Sequence, residues 1–158
     1  MPANNGIVIA QLEHPPWLPP GSSAQIRRGG AAPRPMCLVR LLLRKDDLIF
    51  TLPRDDTGKL DLPTRRTEVH DLDGTEAITL LQQEVTGVVG NARFVGSVRN
   101  LVETPTDDYE WPTPIAHFGV WEAGVQPMVP GHWLNPEEAE SPLRDRHWYP
   151  LLSRPSTP

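Results

Sequence analysis

Cysteine is nearly absent from this sequence: Cys37 stands alone among 158 residues. A single thiol excludes an intrachain disulfide, removes the usual basis of a zinc site and fits a reducing compartment. Long apolar runs are missing as well. Ile7-Val8-Ile9-Ala10 is cut off by Gln11 and Glu13 and has no basic stretch before it, so it is too short for a signal peptide or a membrane span. A cytoplasmic protein with no membrane partner is the expectation. An excess of positive charge is also lacking, since 15 Lys and Arg stand against 20 Asp and Glu, for a net charge of −5. Binding a nucleic acid polymer leaves a surplus of basic residues. No such partner is expected, while local basic pockets remain compatible with the count.

Proline, by contrast, is abundant: 19 residues, about 12% of the chain against a usual ~5%. Seven lie in residues 1–35 and ten in residues 105–158, while residues 36–104 hold only Pro53 and Pro63. The distribution predicts a proline-rich N-terminal arm with a short strand over 1–35, one folded domain over 36–152 and a frayed tail over 153–158. Hydrophobic and charged fractions of 38% and 22% suit a globular domain. No repeat or heptad pattern is present.

Along the chain, Ile7–Leu12 reads as a short strand, and the prolines that follow it predict an extended path over the surface. Arg27, Arg28, Gly29 and Gly30 read as a flexible loop. Met36–Arg44 is apolar except for Arg40 and its ends, which predicts a buried strand, and Leu48–Leu52 follows across an Asp46-Asp47 turn as its hairpin partner. A helix is predicted from Gly74 to Thr86, opened by Asp73 with Glu76 three positions on and stopped by Gly87. Arg93–Val102 and Pro114–Glu122 read as strands, and Pro136–Ala139 as a short helix behind Asn135. At about 100° per residue, Ala77, Ile78, Leu80, Leu81, Val85 and Val88 share one arc of the long helix, with Gln82, Gln83 and Thr86 opposite. Glu84 falls inside the apolar arc. An unpaired buried carboxylate costs several kcal/mol, so Glu84 is either a snorkelling or salt-bridged side chain or a residue of a site.

The order of these elements, with Leu62-Pro63, Glu68 and the closing Gln83-Glu84-Val85-Thr86-Gly87-Val88, resembles the Nudix hydrolase superfamily, whose members cleave nucleoside diphosphates linked to another group. The likeness spans roughly Met36 to Val125, and Trp133, Pro136-Glu137-Glu138-Ala139 and Trp148-Tyr149-Pro150-Leu151 are also similar to family C-termini. It implies an α/β fold of Nudix type, a mixed β-sheet sandwiched between helices, here with the proline-rich extension. The family signature is G-x5-E-x7-R-E-U-x-E-E-x-G-U, with U aliphatic. Anchored on Gly87, its arginine falls on Leu80, its first helical glutamate on Leu81 and its last on Val85; only the middle one survives, as Glu84. The upstream glutamate falls on Leu72 counted from Gly87, and on Asp71 counted from Leu62-Pro63. Thr64-Arg65 replaces the usual glycine pair, with Arg66 next. Two helical carboxylates four residues apart share a face and together hold a divalent cation. With leucine and valine in their places, the resemblance implies a degenerate box, and an Mg²⁺ or Mn²⁺ cofactor only if the protein is catalytically active.

Site candidates follow. Glu84 is the catalytic candidate, and Glu84, Glu68 and Asp71 are the residual metal ligands, with Asp73, Glu103, Asp107, Asp108 or Glu110 able to contribute. Arg65 and Arg66 either bind a ligand phosphate or answer Glu68 and Asp71 in a solvated loop. His117, inside an apolar strand, is either a hydrogen-bonded core or cleft histidine or a base. Trp111, Trp121 and Tyr109 either stack on a nucleobase or complete a small core. Trp17 anchors the arm or meets a second subunit, which would give a homodimer. Three functions are carried forward: a Nudix-like protein that binds a nucleotide-like or phosphorylated small molecule with hydrolysis lost or reduced; an active hydrolase with relocated acids; and a protein-interaction module that would leave Leu81 and Val85 exposed.

Overall fold

Every residue of Met36–Leu42 is buried, and the molecule is arranged around this run. The computed structural model describes residues 6–153. Its strands are β1 (Ile7–Glu13), β2 (Ser23–Arg28), β3 (Met36–Leu42), β4 (Arg44–Lys45), β5 (Leu48–Pro53), β6 (Leu60–Asp61) and β7 (Thr64–Arg66). The helix α1 (Thr75–Thr86) follows, then β8 (Arg93–Leu101), β9 (Ile115–Glu122) and β10 (His132–Leu134). The main sheet has the order β1-β2-β8-β9-β3-β7. Its neighbours are antiparallel except β3 and β9, which run parallel. A second sheet, β10-β5-β4, has β6 paired to β5.

Alternation along β3 divides the core. Met36, Val39 and Leu41 meet Ala77, Ile78, Leu81 and Val85 of α1, together with Phe50 and Trp121. Leu42 joins Ile26, Val98 and Val120 on the opposite face, which is covered by Leu143, Trp148, Leu151 and Leu152. These last side chains come from two 3₁₀ turns, Pro142–Asp145 and Tyr149–Leu152. Among the described residues the sheet thus has one α-helix on one face and 3₁₀ turns on the other, where a sheet between helices was expected. Pro150 lacks the N–H that an α-helix running on from the first of these turns through the second would need. No helix in the described residues is long and apolar enough to cross a membrane.

The N-terminal segment begins with the expected strand, observed as Ile7–Glu13, and then departs from its sequence reading. Residues 7–28 form a hairpin that joins the main sheet through β2 and β8, with Ile26 opposite Val98. Arg27 and Arg28 belong to that strand and not to a loop. Alternation of Ala24 and Ile26, both buried, with Gln25 and Arg27 is the overlooked signal. Residues 1–5 and 154–158, the outer ends of the expected arm and tail, lie outside the described residues. At Pro136–Ala139 the Asn135 carboxamide does accept from the Glu137 N–H at 2.9 Å, but the turn does not propagate into a helix, since a single turn fixes several residues for one hydrogen bond.

Helix α1 runs close to its predicted span, with Gly87 at φ 75° closing it by donating to the Gln83 carbonyl. Its start differs in detail. Asp73 accepts from the Thr75 N–H at 3.1 Å and hydroxyl at 2.7 Å, and the Asp71 carboxylate takes the N–H groups of Glu76 and Ala77 at 3.2 and 2.8 Å. Glu76 turns away to pair with His70. The buried arc is also rotated: Ala77, Ile78, Leu81, Gln82, Val85 and Thr86 face inward, while Leu80, Val88 and Glu84 face out. Thr86 is accommodated because its hydroxyl donates to the Gln82 carbonyl at 2.8 Å. The Gln82 amide has no such outlet, since its Nε2 and Oε1 are buried without a hydrogen-bond partner among the described residues. With Leu81 and Val85 packed under β3, much of the motive for the interaction-module reading is removed.

Two stability outcomes follow. Gly74 has φ 83°, and a Cβ placed there would stand 2.8 Å from Met36 Cγ and 2.9 Å from Val39 Cγ1. Gly74→Ala is expected to lose about 1–3 kcal/mol in urea unfolding. Gln82→Met, which removes an unpaired buried amide at similar volume, is expected to gain roughly 1–2 kcal/mol in the same assay.

Candidate functional site

The loop between β7 and α1 folds back because Thr67 donates from its hydroxyl to the Met36 carbonyl at 2.7 Å and Met36 N–H donates to the Leu72 carbonyl at 2.9 Å. Beside it opens a pocket of about 400 Å³ whose walls include Pro35, Cys37, Arg66, Glu68, Asp71, Glu110, Trp111 and Pro112. That volume lies within the roughly 300–1,000 Å³ of small-molecule sites. Arg66 holds the rim: its Nη2 donates to Glu110 Oε1 at 2.5 Å, and its guanidinium lies 4.6 Å over the Trp111 ring. Such a cation over an indole is attracted by the ring quadrupole. Trp111 in turn meets Phe118 edge-on at 5.0 Å. Cys37 is buried in the pocket wall, and burial raises its thiol pKa.

Five of the sequence candidates, Arg66, Glu68, Asp71, Glu110 and Trp111, therefore line one pocket. Arg65 and Glu84 lie elsewhere and pair with each other at 3.5 Å, both partly open to solvent. His117 is buried and does not line the pocket. Its Nδ1 is 3.1 Å from the Pro35 carbonyl, and Arg99 Nε donates to its Nε2 at 2.9 Å. A donor aimed at Nε2 requires the neutral ring with its proton on Nδ1. Burial, reinforced by the Arg99 and Arg27 charges against the Pro35 hydrogen bond, pushes the His117 pKa from 6.5 to about 4.

Suitability for a divalent cation turns on the donors present. Positions 81 and 85 carry hydrocarbon side chains that are 3% and 2% exposed. Both oxygens of Asp71 already accept from the start of α1, and Glu84 answers Arg65. Among the described residues no three His, Cys, Asp or Glu side chains come together as a metal-holding group. Of the acids nearest the box positions, Asp71 and Glu84 thus already have other partners.

Two features were missed by the sequence reading. Glu110 is the partner of Arg66, 44 residues away. On the opposite face of the sheet, Arg40 and Asp61 form a buried pair at 3.5 Å. The only signal for the pair was Arg40 as the lone charge inside an apolar strand.

No family model matches this chain, and no curated protein matches it. Among solved structures it is similar to a mutant of the Bacillus subtilis pyrophosphohydrolase BsRppH, with a TM-score of 0.53 at 10% identity over 89% of this chain and 85% of that one. It is also matched by the solution structure of the E. coli ORF135 protein, with a TM-score of 0.49 at 18% identity over 75% and 87% of the two chains. The first of these shows a shared fold, of the mixed α/β class to which the sheet order described above belongs.

The His117 environment has a pH consequence. The unfolded ring titrates near 6.5 and the folded one near 4, so between these values the unfolded state binds more protons. The contribution is complete above pH 6.5 and is lost as pH falls toward 4. Urea midpoints should drop across that window with a slope that flattens in His117→Gln.

Proposed function

We propose that this chain is a Nudix-like protein that binds a nucleotide-like or phosphorylated small molecule in the pocket beside α1, and that metal-dependent pyrophosphohydrolysis is lost or much reduced. The observation that carries this reading is the seat of Leu81 and Val85. If the family signature is set in register on Gly87, these are the positions of two metal-holding glutamates, and here both pack against the apolar face of β3. A carboxylate pair at that depth would have to be desolvated, and the carboxylates left nearby are engaged in capping and ion pairing. Binding is supported separately by the pocket: Arg66 brings a planar fork suited to phosphate, and Trp111 offers a ring for stacking. Pyrophosphohydrolase activity belongs to the BsRppH neighbour; at 10% identity only the architecture is shared with this chain.

One alternative has an observation in its favour. Glu68 and Glu110 line the same pocket as Arg66, so relocated acids could support a hydrolysis that survives.

A panel of nucleoside triphosphates, dinucleotides and nucleotide sugars, assayed with Mg²⁺ or Mn²⁺, separates the two. The proposal expects no phosphate or monophosphate release above buffer and saturable binding of at least one panel member, weakened about tenfold or more by Arg66→Ala, the loss of one charged hydrogen bond or more. Metal-dependent release that disappears in a folded Glu68→Gln or Glu110→Gln protein would establish the active-hydrolase reading instead.

A further inference from the structure

A second polar hollow lies on the sheet face that α1 does not cover. Arg40 projects there from β3 and is only 9% exposed. A guanidinium carries five N–H donors, yet among the described residues the acid at Arg40 is Asp61 alone, whose Oδ1 stands 3.5 Å from Nε, and that contact does not close into a hydrogen bond. Asp61 already has other donors. Its Oδ1 accepts from the Leu62 N–H at 2.7 Å and the Trp148 indole N–H at 2.9 Å, and its Oδ2 from Arg54 at 3.3 Å. The pair is thus lopsided, with an anion that takes three hydrogen bonds from other groups facing a cation whose donors are mostly unspent among the described residues. Burial accordingly depresses the Arg40 pKa, with Asp61 opposing.

Arg40 lines two adjoining hollows. One, of about 260 Å³, also has Arg54, Lys59, Arg146 and His147 on its walls, with Asp56, Asp61 and Asp145 as its acids. The other, of about 160 Å³, is walled by Trp17, Trp111, Phe118, Leu38 and Asn100. Arg40, Arg54 and His147 belong to both. Either hollow alone falls below the roughly 300–1,000 Å³ of ligand sites, and the two taken together enter that range. Where they meet, Trp17 and His147 stack at 3.7 Å and 16°. Arg146 is held in place by donating twice to the Leu60 carbonyl, at 3.2 and 2.9 Å. The result is a cationic end joined to an aromatic end, with a buried guanidinium between them.

We propose that this cleft binds a small planar-ring compound carrying one oxyanion, phosphate or carboxylate, with the oxyanion on Arg40 and the ring against Trp17 and Phe118. The site is separate from the pocket beside α1, touching it only at Trp111, and does not depend on the function proposed for that pocket. An oxyanion accepts the donors that Asp61 leaves unspent, and charge-assisted bonds of this kind are the stronger ones in a partly dry setting. His147 falls to about 4, through burial first and the Arg40 charge second, so above that pH the ring is an uncharged stacking partner.

The test follows the indole N–H resonances of Trp17 and Trp148 while phenyl phosphate or benzoate is added to the full-length protein, with phenol and inorganic phosphate as the ring-only and anion-only controls. The expected result is saturable movement of both indoles by at least one ring oxyanion, with either control at least tenfold weaker; whichever of phenyl phosphate or benzoate binds more tightly identifies the oxyanion. Removing Arg40 alone strands Asp61 in the interior, so the variant is Arg40→Met with Asp61→Asn, which deletes both charges and keeps an acceptor for Trp148. Trp17→Ala serves as an independent second variant. Each, with its dispersed amide spectrum retained, should weaken binding at least tenfold. The proposal is overturned if neither ring oxyanion moves the two indoles at millimolar concentration, or if binding is unchanged in both folded variants. It is overturned equally if the only resonances that move belong to Arg66 and Leu72, an outcome that would leave the pocket beside α1 standing by itself.

Discussion

Burial of β3 on both faces is the constraint from which the other contacts follow. A strand with water on neither side needs hydrogen-bonding neighbours on both edges and cover above and below. Parallel pairing with β9 and antiparallel pairing with β7 supply the edges. Helix α1 covers the face of Val39 and Leu41, and the C-terminal 3₁₀ turns cover the face of Leu42. Apolar burial of this kind contributes on the order of 25 cal/mol per Å², spread over two clusters that share one strand. Distant segments are thereby tied together: residues near 80 and residues near 150 pack on opposite sides of the same seven residues.

The chemistry available to the molecule depends on how α1 sits on that strand. Its inward arc runs through Leu81, Gln82, Val85 and Thr86, so the positions that the Nudix resemblance associates with metal chelation lie in the apolar interface. The acids near the helix start have other partners. Asp71 serves the N–H groups of Glu76 and Ala77, a use favoured by the positive end of the helix dipole. What remains open beside the helix is a pocket with a cation over an aromatic ring.

On the other face, the N-terminal hairpin widens the sheet and the loop after β1 carries Trp17 across to His147. Arg40 is the one charge on β3, and the Arg40–Asp61 pair, with Trp148 bonded to the same carboxylate, ties that strand to β6 and to the C-terminal turns. Buried pairs of this type contribute modestly to net stability, but losing one partner is costly.

The sequence alone carried the α/β class, the central apolar strand, the helix with its closing glycine, and the late strands, because each rests on local pattern: a period of two, a period near 3.6, or a residue that tolerates positive φ. Resemblance to the Nudix order was legible for the same reason. Only the tertiary structure decided which arc of α1 turns inward. Six side chains formed the apolar arc on paper, and packing against β3 rejected Leu80 and Val88 in favour of Gln82 and Thr86. Tertiary contact also decided that Arg66 meets Glu110 and that Arg40 meets Asp61, pairings across 44 and 21 residues that no local window contains. Short-range preference is written in neighbouring residues, whereas the partner of a charge is chosen by whichever strands the core brings side by side.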